Sequence, residues 1–159
     1  MSIQLLRVDE RLIHGQVVIG WGRRLHPARY IVVDDLLAAS GWEQELYLLA
    51  VEGETEVRFL DVGSAGAELA RLREDPIRTI VLTRDLQTMS RLAEGGRLAG
   101  MRVNLGGLHP SPGRRALRGW LNLGPEDEIH LQRLVDGEVE IEARDLPDHP
   151  AVTPDEFLP

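Results

Sequence analysis

Short apolar runs of strand length alternate along the chain with longer stretches in which apolar residues recur every three or four positions. The strand runs are Ile3 to Val8, Tyr30 to Val33, Val57 to Val62, Thr79 to Leu82 and Met101 to Leu105, with Val139 to Arg144 as a last, alternating one. Between them the periodicity predicts helices from near Gly15 to Leu25, over Ser40 to Val51, Ala65 to Arg73, Leu86 to Glu94 and Pro125 to Leu134. His26-Pro27, Asp75-Pro76 and Gly95-Gly96 punctuate three of these ends. Leu117 to Leu123 reads as one further short strand, and Trp42, Leu46 and Leu49 fall near one helical face and read as a core stripe.

Helices rather than tight hairpins between strands imply crossover connections, and these join parallel strands. The pattern predicts a single α/β domain over residues 1–147, with a doubly wound, mainly parallel sheet of about six or seven strands and helices on both faces. Residues 148–159, rich in proline and acidic groups, are predicted to form an extended or disordered C-terminal tail.

Composition then removes chemistries. Among 159 residues all 18 basic side chains are arginine, and there is neither lysine nor cysteine. Schiff-base lysines, P-loop lysines, thiolate nucleophiles and cysteine metal sites are therefore excluded. With 26 acidic residues the formal net charge is −8, which argues against a nucleic-acid surface. The absence of a long apolar run and of a signal-like N-terminus predicts a cytoplasmic protein.

In open parallel sheets ligands bind beyond the carboxyl ends of the strands. Four such loops are suggestive: Asp9 to Gly15, Asp34-Asp35, Thr83 to Asp85, and Gly106 to Arg115. The first carries Asp9, Glu10, Arg11 and His14 immediately before a helix, whose N-terminal amides favour an anion. Arg11 supplies a planar charged fork, and a carboxylate such as Asp9 accepting one ring N–H leaves the other nitrogen of His14 free as a nucleophile. On spacing alone two readings stay open: a phosphate-accepting histidine, or an ordinary loop with a cap, a solvated charge and a polar filler.

The run Arg7-Val8-Asp9-Glu10-Arg11-Leu12-Ile13-His14-Gly15-Gln16-Val17 closely resembles the signature of the enzyme IIB component of the bacterial sugar phosphotransferase system, mannose/fructose/sorbose family. Trp21, Ile31-Val32-Val33 with Asp35, Leu92 to Gly96, Val103 to Gly107, and Leu121-Asn122-Leu123 followed by Glu126-Asp127 are also similar to that family. The resemblance spans roughly residues 3 to 147.

The resemblance implies a protein-Npi-phosphohistidine–sugar phosphotransferase (EC 2.7.1 type) in which His14 receives phosphate at Nδ1 from a phospho-IIA protein. His14 then passes it to a sugar presented by membrane IIC and IID chains, at the inner face of the membrane. Arg11 would hold the phosphoryl group, Gly15 and Gln16 would share its charge through their amides, and Asp9 would orient the imidazole, with Arg7 as further support. Asp35, Gly106 and Gly107 are implied as walls of the crevice. No metal, nucleotide or other cofactor is implied, because a phosphoramidate is already an activated donor.

Asp34 departs from the family pattern, standing where a small neutral residue is more common. A carboxylate there repels an incoming phosphoryl group unless an arginine such as Arg84 neutralises it. Asp34, the altered stretch His109 to Arg118 and the acidic tail favour a second reading, a IIB-like regulatory protein that is phosphorylated without serving sugar transport. Monomer and homodimer are both compatible with the sequence.

Overall fold

A computed structural model describes residues 2–158. Six parallel strands form the main sheet: β1 (Ile3–Val8), β2 (Arg29–Val33), β3 (Glu56–Leu60), β4 (Thr79–Thr83), β5 (Arg102–Leu105) and a last strand, Glu140–Ala143. A separate antiparallel hairpin pairs β6 (Arg115–Arg118) with β7 (Leu121–Leu123), which makes the last strand of the main sheet β8. The order across the sheet is β3-β2-β4-β1-β5-β8. Strands β2 and β4 are buried along their whole length, which explains why their sequences run apolar without alternation.

Helices cover both faces. On one side α4 (Val62–Glu74), α5 (Leu86–Leu92) and α6 (Pro125–Asp136) bury Leu69, Leu72, Met89, Leu92, Leu131 and Leu134 against Leu6, Val8, Val81 and Val103. On the other, α1 (Gln16–Trp21 continued by Gly22–Leu25), α2 (Asp35–Ala38) and α3 (Gly41–Leu48) overlie Tyr30, Val32, Ile80 and Leu82, with Val17 and Leu37 inserted. Helix α1 opens as a π-helix over Gln16–Trp21 and continues as an α-helix over Gly22–Leu25, closing at His26 in the left-handed region. Asp34, Asp61 and Asp85 each accept the amide hydrogen three residues on and so start α2, α4 and α5 where strands end.

Three expectations change. The segment 117–123 is not one strand of the sheet but part of the hairpin, because Gly119 and Trp120 turn the chain back on itself. The tail is neither free nor disordered: Val152 pairs with Ala143, and Phe157, at the end of a single 3-10 turn (Pro154–Glu156), is 1% exposed within the core. Two well-placed apolar residues outweigh the proline and charge around them. Helix α3 buries none of its residues, so Trp42, Leu46 and Leu49 are a surface stripe and not a core stripe. No helix among the described residues is long and apolar enough to cross a membrane.

Register places the site. Val33, Thr83, Val8 and Leu105 lie side by side at the carboxyl ends of β2, β4, β1 and β5. The residues that follow them, Asp34, Arg84, Asp9 and Gly106, therefore head four adjacent loops on one edge.

Candidate active site

Arg7 and Asp9 are two residues apart across the end of β1, and their side chains meet in the interior, both fully buried. The Arg7 fork has five N–H donors, and five acceptor contacts take them. Nε and Nη2 donate to Asp9 Oδ2 at 3.3 and 3.0 Å, and Nη1 donates to Asn104 Oδ1 at 2.5 Å. The carbonyls of Arg144 and Asp145 accept the remaining two at 2.9 and 3.1 Å. The Trp21 ring lies beneath the guanidinium at 5.5 Å, and its own N–H donates to the Asp145 carbonyl. Above it a Cβ on Gly106 would come within 2.3 Å of the guanidinium carbon, so this turn requires glycine. Arg7 is thus a saturated internal counter-ion: its fork is enclosed and has no donor left for a phosphate, so the support it gives the site passes through Asp9.

Asp9 joins this base to the loop above. Its Oδ1 accepts the Arg11 amide hydrogen at 3.1 Å, and its Oδ2 lies 2.9 Å from His14 Nε2, off the axis of a linear hydrogen bond. Burial by itself would raise the Asp9 carboxyl, but His14 and Arg7 outweigh it and hold the group below the usual carboxylate range. Burial lowers the Arg7 guanidinium, and the adjacent Asp9 charge opposes that shift.

The loop returns His14 over Asp9 by a tight turn. Leu12 donates its amide hydrogen to the Asp9 carbonyl at 2.9 Å and adopts φ of 56°, a conformation unfavourable for a leucine by about 1–2 kcal/mol. Full burial of the Leu12 side chain, with Ile13 beside it, offsets that cost. The His14 carbonyl then accepts the amides of both Val17 and Val18, at 3.0 and 2.9 Å, as α1 begins. Gly15 and Gln16 head the helix, where N–H groups have no carbonyl behind them within the helix. A π-helical first stretch is rare and commonly marks a functional position.

Arg11 is exposed, and its Nη2 donates to Gln16 Oε1 at 3.2 Å across the loop. Beside it opens a crevice of about 490 Å³ lined by Glu10, Arg11, Arg84, Asp85 and His109. Gly107 lies against two of the loop's residues: its carbonyl accepts the Glu10 amide at 2.9 Å, and a Cβ there would lie 3.4 Å from Asp9 Oδ1 and 3.6 Å from His109 Nε2. Arg84 Nε stands 3.4 Å from Asp34 Oδ2, so the unusual carboxylate is paired with the arginine expected to neutralise it.

Asp35 is not brought to the crevice. Its carboxylate accepts the Val62 amide and an Arg91 donor, both at 2.9 Å, and these partners hold it below the usual range on the α4–α5 side. Its inclusion as a wall is corrected, because the role of capping α4 draws it away while Asp34 turns inward.

Glu10, to which the sequence assigned no role, is a junction of charges: His109 Nδ1 lies 3.0 Å from its Oε2, and Arg114 bridges Glu10 and Asp127. The altered stretch 109–118 is therefore tied to the reaction loop. Asn104, a polar residue between Val103 and Leu105 in β5 and buried with them, is the sequence signal for the charged group it binds, Arg7.

A family model described as "PTS system sorbose subfamily IIB component" matches residues 3–158. The N-acetylgalactosamine-specific phosphotransferase enzyme IIB component 1 of Escherichia coli is 27% identical over 149 residues, covering 92% of each chain. The mannose-specific EIIAB component of the same organism is 29% identical over 154 residues, covering 94% of this chain but 46% of that longer protein. In fold, the chain superposes on an N-acetyl-galactosamine-IIB component from Streptococcus pyogenes with a TM-score of 0.89 at 24% identity, covering 99% and 98% of the two chains.

Proposed function

The chain belongs to the sorbose subfamily of phosphotransferase-system IIB components and serves phosphoryl transfer in sugar uptake, and from that premise we propose that His14 is the residue that carries the phosphoryl group. One observation supports this assignment most: Nε2 faces the buried Asp9 carboxylate at 2.9 Å, which leaves Nδ1 as the ring atom to attack.

In the first step the Nδ1 lone pair of His14 attacks the phosphorus of a phosphohistidine on a IIA protein. The donor's P–N bond breaks as the new P–Nδ1 bond forms, and the electron pair returns to the donor imidazole. With Nε2 still protonated, the phosphorylated ring of His14 carries positive charge, and Asp9 compensates it at contact distance. Arg7 in turn keeps Asp9 ionised and fixed. Arg11, anchored through Gln16, stands at the open side to hold the equatorial oxygens, and the amides of Gly15 and Gln16 share their charge.

In the second step a sugar hydroxyl oxygen attacks the phosphorus in line. The P–Nδ1 bond breaks, its electrons return to His14, and the hydroxyl proton leaves to solvent or a base on the acceptor side. This makes the chain a protein-Npi-phosphohistidine–sugar phosphotransferase of the EC 2.7.1 type, working at the cytoplasmic face with a IIA donor and membrane IIC and IID chains. The regulatory reading loses its support, since Asp34 is neutralised by Arg84, the 109–118 stretch is bound to Glu10, and the tail is packed.

The test is phosphoryl flow from labelled phosphoenolpyruvate through enzyme I, the histidine phosphocarrier, IIA and this protein to a sugar, in vesicles containing IIC and IID. Labelled sugar phosphate that depends on this protein is expected. Phosphorylation of the protein without onward transfer to any sugar of the relatives' classes would contradict the reading.

A further inference from the structure

Helix α3 meets the core through the half-buried Tyr47, which leaves its other apolar side chains unexplained. Trp42, Leu46 and Leu49 follow one another at four- and three-residue spacing and are 69%, 59% and 82% exposed, while Leu36 on the adjoining α2 is 84% exposed. An eight-residue helix that buries none of its residues is marginal in isolation, and an apolar surface of this density marks an interaction site.

The charges around the stripe say what covers it. Between Arg29 and Arg58 the sequence holds seven acidic residues and no basic one, in a chain that otherwise carries arginine throughout. Asp34 and Asp35 are occupied by Arg84 and Arg91. Glu43, Glu45, Glu52 and Glu54, on α3 and in the loop after it, make no ion pair with an arginine among the described residues, so the segment that carries the stripe is net negative. A second copy would oppose like charges across the contact, and an anionic bilayer would be repelled. The complementary partner is a polypeptide with apolar anchors inside a basic rim. Cytoplasmic loops of membrane proteins have this character, since they carry an excess of lysine and arginine.

The stripe is also continuous with the reaction loop. A groove of about 540 Å³ runs from Gly15, the residue after His14, past Val18 and Ile19 to Val51 and Glu52 beyond the end of α3, with Arg23 as its one arginine. Ile19, 53% exposed, projects into it. A partner seated on α3 thus reaches the neighbourhood of His14 without covering the crevice at Arg11 and Arg84.

We propose that the α2–α3 face, with Trp42, Leu46 and Leu49 as anchors and Glu43, Glu45, Glu52 and Glu54 as rim, docks a basic, apolar cytoplasmic segment of the membrane components. This inference rests on the reading of the chain as a IIB component and adds the surface by which it meets its acceptor.

The experiment compares wild type with Trp42→Ser/Leu46→Ser/Leu49→Ser and with Glu45→Arg/Glu52→Arg. Phosphorylation by phospho-IIA and co-sedimentation with inside-out vesicles containing IIC and IID are measured for each. Because the altered side chains are exposed, the folds and the rate of phosphorylation at His14 are expected to stay as in wild type, while vesicle binding falls about tenfold or more. Unchanged binding in both variants would overturn the proposal. Equal binding of wild type to vesicles lacking those chains would overturn it in favour of the bilayer. A concentration-dependent dimer abolished by the Trp42 variant would overturn it in favour of a second copy. Failure of wild type to be phosphorylated at all would instead count against the IIB reading itself.

Discussion

At the scale of residues, the site consists of a charge buried to serve a charge at the surface. Arg7 cannot touch phosphate, but it sets the ionisation of Asp9, and Asp9 sets which nitrogen of His14 is presented. Asp9→Ala would leave the Arg7 guanidinium buried without its counter-ion, and chemical denaturation is expected to show a loss of about 3–5 kcal/mol. A loss under 1 kcal/mol would mean that the carbonyls of Arg144 and Asp145 suffice for Arg7. Arg11 is the opposite case. Its guanidinium is exposed and, among the described residues, bound only to Gln16, so Arg11→Ala should leave the melting temperature in place while slowing phosphoryl transfer from phospho-IIA on the order of a hundredfold. A normal rate would show that the phosphoryl group is held elsewhere. The sequence displayed Arg11, Asp9 and His14 as a set. It did not reveal the burial of Arg7, because arginine is ordinarily exposed; only its place two residues from Asp9 on a strand, with Gly106 opposite, reflects the fit.

At the scale of elements, strand and helix order was legible because buried parallel strands read as apolar runs and their crossover helices carry a different period. What periodicity cannot show is which apolar face finds a partner. The α3 stripe repeats correctly for a core helix, yet the sheet beneath is covered instead by Leu37, Val17 and Tyr47, and the stripe faces outward. The tail fails in the reverse direction: its average composition suggests disorder, while Val152 pairs it to β8 and Phe157 anchors it in the core. Phe157→Ala is therefore expected to cost about 3–5 kcal/mol in thermal or chemical unfolding. A change within 0.5 kcal/mol, of the order seen for ordinary surface substitutions, would show that residues 152–158 do not belong to the folded unit. The hairpin at 115–123 escaped notice because arginines and a glycine interrupt its apolar positions, and its two strands are three and four residues long.

At the scale of the whole molecule, acidic groups outnumber basic ones, yet several carboxylates are held by specific partners. Asp9 is depressed against the effect of its burial by His14 and Arg7, Asp35 by the Val62 amide and Arg91, and Glu68 chiefly by Arg58. A carboxyl depressed in the folded state contributes stability that is present above its unfolded value, near 4, and is lost as pH falls through its folded value. Melting temperature should therefore hold from neutral pH down to about 5 and fall below about 4; a rise in acid would contradict these pairings. The proposed chemistry rests on a single nitrogen of a single residue, presented at the one edge where four strand ends converge. Its most direct test is intact mass after exposure to phosphoenolpyruvate, enzyme I, the histidine phosphocarrier and a IIA protein. One acid-labile phosphoryl group on the wild-type chain, absent from His14→Ala, is the predicted result, and undiminished phosphorylation of His14→Ala is the result that would contradict it.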